Sequence, residues 1–213
     1  MLELLVQGGP LMLPIALASV TAVAVFLERL HALRRSRVLP PSLGPAVRAA
    51  LAEHDPARAR AECEKRESAG GVVLAAVLDA AGRGRAEMRQ RAEDVGRRQV
   101  ASLDRYVGVL GVIAAVTPLL GLLGTVTGMI AVFREVVTKG VGDPSLLAEG
   151  IWEALITTAA GLTVAIPAYL GYRYLLSKVA DLSLELEEEA SAVSDMLLSD
   201  VEAAGSQTEE SGA

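Results

Sequence analysis

The stretch VTPLLGLLGTVTGMIAVF, residues 116–133, is apolar enough to lie in a lipid bilayer, yet it carries three threonines, three glycines and a proline. A helix over this stretch collects on one face the residues spaced three and four apart, which are Thr117, Gly121, Gly124, Thr125 and Gly128. Small residues at this spacing let helices approach closely in lipid. A single membrane threonine often bonds its own backbone, so the hydroxyl groups alone do not separate packing from function.

The composition of the whole chain favours a membrane protein. Of its 213 residues 52% are hydrophobic, and the mean hydropathy is +0.40. The net charge of −6 is unevenly placed, because residues 181–213 hold ten acidic and no basic residues, which leaves +4 for the rest. The sequence has no basic patch with interleaved aromatic residues, so it does not indicate nucleic-acid binding.

Three uncharged runs, residues 4–27, 106–133 and 154–172, are each close to or above the ~20 residues that a helix needs to cross the hydrocarbon core. The first run could instead be a signal peptide. It is too long for one, however, and basic residues follow it rather than precede it. The sequence therefore predicts three transmembrane helices.

Lysine and arginine set the predicted orientation, because cytoplasmic flanks carry the excess of basic residues. The basic residues that lie near the ends of the spans on the predicted inner side are Arg29, Arg34, Arg35, Arg37, Arg97, Arg98, Arg105, Arg173 and Lys178. The outer side has only Arg134 and Lys139. The predicted segments are an outside N-terminus with the first span (1–30), a cytoplasmic helical region (31–105), the second span (106–133), a short periplasmic loop (134–150), the third span (151–172), a cytoplasmic helix (173–203) and a disordered acidic tail (204–213).

The cytoplasmic parts have the spacing of helices rather than of strands. Asp55 before Pro56 is a helix start, the SAGG at 68–71 is a break, and one long helix is expected from about residue 86 to 133. After the third span one helix face collects Leu175, Val179, Leu182 and Leu186. These pieces are too small for an enzyme domain, and we expect them to bundle as extensions of the membrane helices.

The third span adds polar groups of its own. Glu153 begins it, Thr157 and Thr158 follow one turn later, and Gly161 completes a second small-residue stripe. A carboxylate in a membrane helix is costly, although a helix N-terminus also favours one. If the two stripes face one another or a common axis, they form a polar path lined by Thr125, Glu153, Thr157 and Thr158. Packing would then fall to Gly121, Gly124, Gly128 and Gly161.

The pair GLLGTVTGMIAVF (121–133) and IWEALITTAAGLTVAIPA (151–168) resembles the ExbB/TolQ/MotA proton-channel family, in its three-span ExbB/TolQ branch. The resemblance implies an all-α membrane protein with long cytoplasmic helical extensions. It also implies a ring, expected to be a pentamer, around a central pore in the bacterial inner membrane. By motif position the pore hydroxyls are those of Thr125 and Thr158, and the ring carboxylate is Glu153.

The same resemblance implies the partners and the activity. Two copies of an ExbD/TolR-like single-span protein, each with a membrane Asp that carries the proton, would lie inside the ring. The chain would then be the stator subunit of a proton-driven motor that does mechanical work across the envelope, for transport, envelope maintenance or motility. The short segment before the first span is closer to TolQ than to longer ExbB forms.

Two other classes of function fit the sequence less well. One is a passive channel, and a mechanosensitive channel can also have three spans. Channels of the mechanosensitive class usually carry a large α/β domain after the last span, whereas only about 40 residues follow the last span here. A membrane enzyme lacks support, because no nucleophile–base pair or paired carboxylates stand out. We expect no metal and no cofactor, since His31, His54 and Cys63 are isolated.

Overall fold

The structure is a computed structural model that describes residues 9–65, 67–139 and 144–210. Within these ranges all regular secondary structure is α-helical, which confirms the all-α fold class. The helices are α1 (Met12–Ala32), α2 (Arg35–Val38), α3 (Leu43–Ala52), α4 (Pro56–Glu64), α5 (Ala69–Asp79), α6 (Arg85–Asp104), α7 (Val107–Lys139) and α8 (Pro144–Glu210).

Three of these helices are long and apolar enough to cross a membrane. They are α1, the stretch Val107–Thr138 of α7, and a part of Ala148–Ser199 in α8, with mean hydropathies of 1.7, 2.2 and 1.5. Less than half of each apolar window is buried inside the chain, so most of its surface is left for lipid or other protein. This confirms the prediction of three helices that are able to span a membrane.

The first of two compact units contains Met1–Arg29 and Tyr106–Leu175. Its described part combines α1, α7 and the first half of α8. Two contacts show how α1 lies on α8, because Gly9 reaches Glu153 and the ring of Phe26 reaches Gly171. The earlier residue of the first segment meets the earlier residue of α8, and the later meets the later, so α1 and α8 run parallel to each other.

The second unit contains Leu30–Arg105 and Leu176–Ala213. Its short helices pack in chain order, α3 against α4, α4 against α5 and α5 against α6. Asp55 accepts a hydrogen bond from the Arg58 backbone at 2.8 Å, which confirms the predicted start of α4. The apolar side chains predicted to share a face of α8, Leu175, Val179, Leu182 and Leu186, are all buried.

The predicted continuous helix from about residue 86 to 133 is wrong. A turn at Arg105 and Tyr106 separates α6 from α7, although the backbone of Arg105 keeps helical angles. At this point the Tyr106 ring lies 4.9 Å from the guanidinium carbon of Arg29. This contact joins residues far apart in the chain, so the local spacing of 86–133 contains no sign of it.

The helices that contain the second and third spans extend beyond the predicted span ends. The helix α7 continues to Lys139 and α8 begins at Pro144, so both ends of the predicted loop 134–150 are helical. Arg, Glu and Lys end an apolar run without ending a helix, and proline suits a first helical turn. The remainder of that loop, 140–143, lies outside the described residues, as do 1–8 of the first predicted segment.

Two further helix boundaries differ from the predicted ones. Ser68 caps α5 by accepting a hydrogen bond from the Gly71 backbone at 3.1 Å, so residues 69–71 of the predicted break are instead the first turn of that helix. At the other end, α8 continues to Glu210 rather than stopping at 203. The residues after 203 include Ala, Gln and Glu, which favour helix, and contain no proline. Residues 211–213 of the predicted tail lie outside the described part.

Candidate functional site

Glycines form the contact between α7 and α8. A Cβ atom on Gly121 would lie 3.0 Å from the Thr158 Cα, and one on Gly161 would lie 2.8 Å from the Thr117 carbonyl oxygen. A Cβ on Gly128 would lie 3.1 Å from that of Ala154. Partners later in α7 meet residues earlier in α8, so the helices are antiparallel. The structure places all four predicted packing glycines here, since Gly124 faces the Thr157 side chain.

Two threonines are fully buried in this contact. Thr117 and Thr157 are each 1% exposed, and each donates its hydroxyl hydrogen to a carbonyl one turn back. The acceptors are Ile113 at 2.5 Å and Glu153 at 2.9 Å. Thr157, which the sequence predicted to line a polar path, therefore lies beneath Gly124 at the helix contact.

Thr158 makes a hydrogen bond that the sequence did not reveal. Its hydroxyl donates to the Gly121 carbonyl of α7 at 2.9 Å, so it links the two spans rather than its own turn. Thr125 instead donates to Leu122 within its own helix at 2.7 Å. Both threonines are half-buried. The missed signal was the close approach of glycine backbone to a threonine on a facing antiparallel helix.

Thr125 and Thr158 lie on the same side of the α7/α8 pair. Thr125 follows Gly124, Thr158 follows Thr157, and the Gly124–Thr157 pair lies in the contact. Advancing one residue turns the side chain about 100° around each helix. Because the helices run in opposite directions, these two rotations lead to the same side. We call this side, defined by Thr125 and Thr158, the hydroxyl flank.

Glu153 does not lie on the hydroxyl flank. It precedes Thr158 by five residues, which places the two about 140° apart around α8. Gly171 follows Glu153 by 18 residues, or about five turns, so these two share a face. This is the face on which α1 lies, through Gly9 and Phe26. The structure thus brings Thr125 and Thr158 together and holds Glu153 against α1.

The other titratable candidates do not form a second site. No group of three His, Cys, Asp or Glu side chains within the described ranges could hold a metal ion. Cys63 is buried in the second unit, and burial raises the pKa of its thiol to about 11. A thiol with that pKa is largely protonated near neutral pH and is a poor nucleophile.

A comparison with known protein families matches the region that contains α7 and the first part of α8. The family model that matches residues 64–188 is described as the MotA/TolQ/ExbB proton channel family. The chain belongs to this family. The match covers α7, which carries Thr125, and the part of α8 that carries Glu153 and Thr158. With three apolar helices it makes the chain a multi-pass membrane protein.

Individual relatives in the proton channel family agree with this assignment. A protein of Methanothermobacter thermautotrophicus named as a biopolymer transport protein ExbB homolog is 33% identical over 84% of this chain and 64% of its own length. An ExbB-like protein of Synechocystis is 36% identical over 83% of this chain and 71% of its own. The Tol-Pal system protein TolQ of Haemophilus influenzae is 40% identical over 38% of this chain and 36% of its own. This chain therefore spans about two thirds of the first two relatives.

Proposed function

We propose that this chain is the ring-forming stator subunit of a proton-driven motor. Copies of the chain, most simply five, surround the single transmembrane helices of an ExbD/TolR-like partner, present in two copies. An acidic side chain of the partner carries the proton past the ring in the bacterial inner membrane. Movement of the partner then transmits work across the envelope.

The observation that carries this proposal is the hydroxyl flank. Thr125 and Thr158 share a side of the α7/α8 pair that α1 leaves uncovered, since α1 lies on the Glu153/Gly171 face. The apolar neighbours Leu122 and Leu162 on this side are exposed. A partner helix could therefore contact lipid-compatible side chains and two hydroxyl oxygens at once. The glycine contact fixes the positions of both hydroxyls.

The hydrogen bonds indicate which protonation state of a partner carboxyl group this surface suits. Both hydroxyl hydrogens point at backbone carbonyls, of Gly121 and of Leu122, and a carbonyl can only accept. The hydroxyl oxygens therefore present lone pairs, which accept a hydrogen bond from a protonated carboxyl group. An ionised carboxylate needs donors, so its binding would require a hydroxyl to rotate. The surface thus distinguishes the two states that a proton carrier passes through.

The membrane supplies the energy that this exchange needs. One elementary charge crossing a potential of 100 mV releases about 2.3 kcal/mol. That energy exceeds the ~0.6 kcal/mol average for a membrane hydroxyl hydrogen bond, so the potential can drive the breaking and remaking of such bonds. The function of the ring is then to hold the hydroxyl positions while the partner moves.

Valine substitutions test the proposal, because valine matches threonine in shape but cannot hydrogen-bond. The complex is purified with its single-span partner and reconstituted in vesicles, and proton uptake is measured under an imposed potential. We expect Thr125→Val/Thr158→Val to abolish uptake while the partner still co-purifies, and serine at both positions to retain part of it. Thr163→Val is the matched control, since Thr163 is exposed and bonds only Ala159 of its own helix. Wild-type uptake by the double valine variant would refute the proposal.

A further inference from the structure

Gly9 combines two features that disfavour a side chain, its backbone conformation and the nearby end of the Glu153 side chain, which would have to move to admit one. Its φ of +70° lies in the left-handed region, and a Cβ atom there would lie 3.3 Å from the Glu153 Cδ and closer still to Oε1. Gly82 and Gly84 also have left-handed φ values, of +82° and +93°, but nothing lies within 4 Å of a Cβ at either one. Those two glycines serve the backbone alone, whereas Gly9 also makes room for a carboxyl group.

The conformation of Gly9 is tied to the start of α1. Its carbonyl accepts a hydrogen bond from the Met12 backbone at 3.1 Å, which closes the turn that leads into the helix. Further along, the ring of Phe26 lies where a Cβ on Gly171 would be only 3.0 Å away. Because the contacts with α8 lie at both ends of the segment formed by Gly9 and α1, the position of Gly9 over Glu153 is set by the whole helix rather than by one turn.

We propose that Gly9 is a positioning residue for the carboxyl group of Glu153. Its bare backbone is the surface on which the carboxyl rests, so α1 rather than α7 determines where that carboxyl lies. This inference rests on the proposed function and takes Glu153 as the carboxylate of the ring, the role that its motif position implies. It assigns Glu153 to the α1/α8 contact and leaves Thr125 and Thr158 as the groups that meet the partner.

A cross-linking experiment tests the placement without any activity. In full-length chain carrying Cys63→Ser, Gly9→Cys is combined with Glu153→Cys, and membranes are treated with a short bifunctional thiol reagent. The Glu153→Cys change removes the carboxyl group, so the new side chain at position 9 has room. We expect an intramolecular cross-link that is absent from the matched Gly9→Cys/Thr163→Cys chain. Equal cross-linking of the two chains, or none in either, would overturn the inference.

A double-mutant comparison tests whether Gly9 acts through Glu153. We expect Gly9→Ala to lower proton uptake by up to about a hundredfold, as when a working group is displaced by about 1 Å. In a Glu153→Ala background the same change should lower uptake no further, because no carboxyl remains to be displaced. The Gly82→Ala variant, with its open surroundings, reports the cost of a left-handed alanine alone.

The outcomes separate this inference from the proposed function. Full uptake by Gly9→Ala, or losses that multiply in the double variant, would overturn the positioning role. If Glu153→Ala keeps full uptake while the cross-link forms, Gly9 still places the carboxyl, and the ring-carboxylate role that motif position implies for Glu153 fails. Partial rescue of Gly9→Ala by Glu153→Asp, whose shorter side chain withdraws the carboxyl, would support positioning over a folding defect.

Discussion

Each threonine of the two long apolar segments, within 107–139 and 144–199, donates its hydroxyl hydrogen to a backbone carbonyl. For six of the seven the carbonyl belongs to the same helix, three or four residues back. Thr158 is the exception, because its acceptor Gly121 is on α7. A same-helix bond leaves the neighbouring span free to shift, whereas the Thr158 bond fixes one span against the other. Thr158 therefore combines a structural contact with an oxygen on the hydroxyl flank.

The Thr158 bond should contribute little to stability. We expect Thr158→Val to lower the free energy of unfolding by only about 0.6 kcal/mol, the average for such bonds in membrane helices. Thermal unfolding of the purified chain in detergent, beside Thr163→Val, measures this. A loss of assembly in the valine variant would mean that the hydroxyl serves folding and that transport assays of it cannot report on proton transfer.

Cys63 gives a pH dependence whose sign follows from its burial. Burial raises the pKa of its thiol from 9.0 to about 11, so the folded chain holds this proton more tightly than the unfolded chain. Its contribution to stability is therefore complete below pH 9 and is lost as the pH rises to about 11. Thermal unfolding measurements between these pH values should show a smaller loss of stability in Cys63→Ala than in wild type. Equal slopes would contradict a buried, protonated thiol.

At the level of helices, the glycine contact between α7 and α8 predicts opposite effects for two alanine substitutions. Gly161→Ala puts a Cβ 2.8 Å from the Thr117 carbonyl oxygen, a backbone atom that cannot rotate away. Overpacking of this kind costs about 1–3 kcal/mol. Gly108, on α7, has nothing within 4 Å of such an atom, so alanine there should stabilise the helix by up to about 1 kcal/mol. Thermal unfolding of both variants measures the two changes in stability. A stabilising Gly161→Ala would show that the spans are not in close contact.

The extension of α8 is joined to the short helices of the second unit by three ion pairs, Arg35–Glu185, Arg48–Glu189 and Arg85–Asp195. The Glu189 carboxylate also lies over Gly44 in the first turn of α3, where the helix dipole favours negative charge. We expect Glu189→Gln to lower the free energy of unfolding by about 0.5–1 kcal/mol and to make it less sensitive to salt. Glu188→Gln is the control, since Glu188 is an exposed neighbour on the same helix. Equal behaviour of the two variants would mean that the pair contributes nothing.

The spans were predictable from sequence because lipid imposes a length and a composition that show in any window of 20 residues. The glycine stripes were predictable for a similar reason, since helical spacing alone places Gly121, Gly124 and Gly128 together. The break at Tyr106 was not, because a contact with Arg29 accompanies it and local spacing does not report such contacts.

The site residues divide along the same line. Spacing identified Thr125, Thr158 and Glu153 as polar positions but could not say which faces they occupy in the bundle. That depends on how α1 lies on α8, which is settled by Gly9 and Phe26 far away in the chain. The acceptor of Thr158 was hidden for the same reason, because the register between two antiparallel helices is a tertiary property.

For the molecule as a whole, the uneven charge of the chain acquires a structural meaning. The acidic residues after 180 and the arginines of 35–85 look like separate features in the sequence. In the second unit they meet, because carboxylates of the α8 extension pair with arginines of α2, α3 and the start of α6. This pairing requires both segments to be on the same side of the membrane, which agrees with the orientation expected from the basic residues.

The expected orientation predicts which side of the membrane each exposed residue faces. If residues 31–105 and those after 172 are cytoplasmic, the end of α7 must face the outside. In a Cys63→Ser chain, a membrane-impermeant maleimide added to spheroplasts should label Thr138→Cys but not Ala81→Cys. Both positions are exposed in the structure, so a difference in labelling reports the side of the membrane rather than burial. Permeabilised cells should label both, which controls for reactivity. Labelling of Ala81→Cys alone in sealed spheroplasts would show that the topology is the inverse of the predicted one. Thr125 and Thr158 would then meet a partner entering from the opposite side.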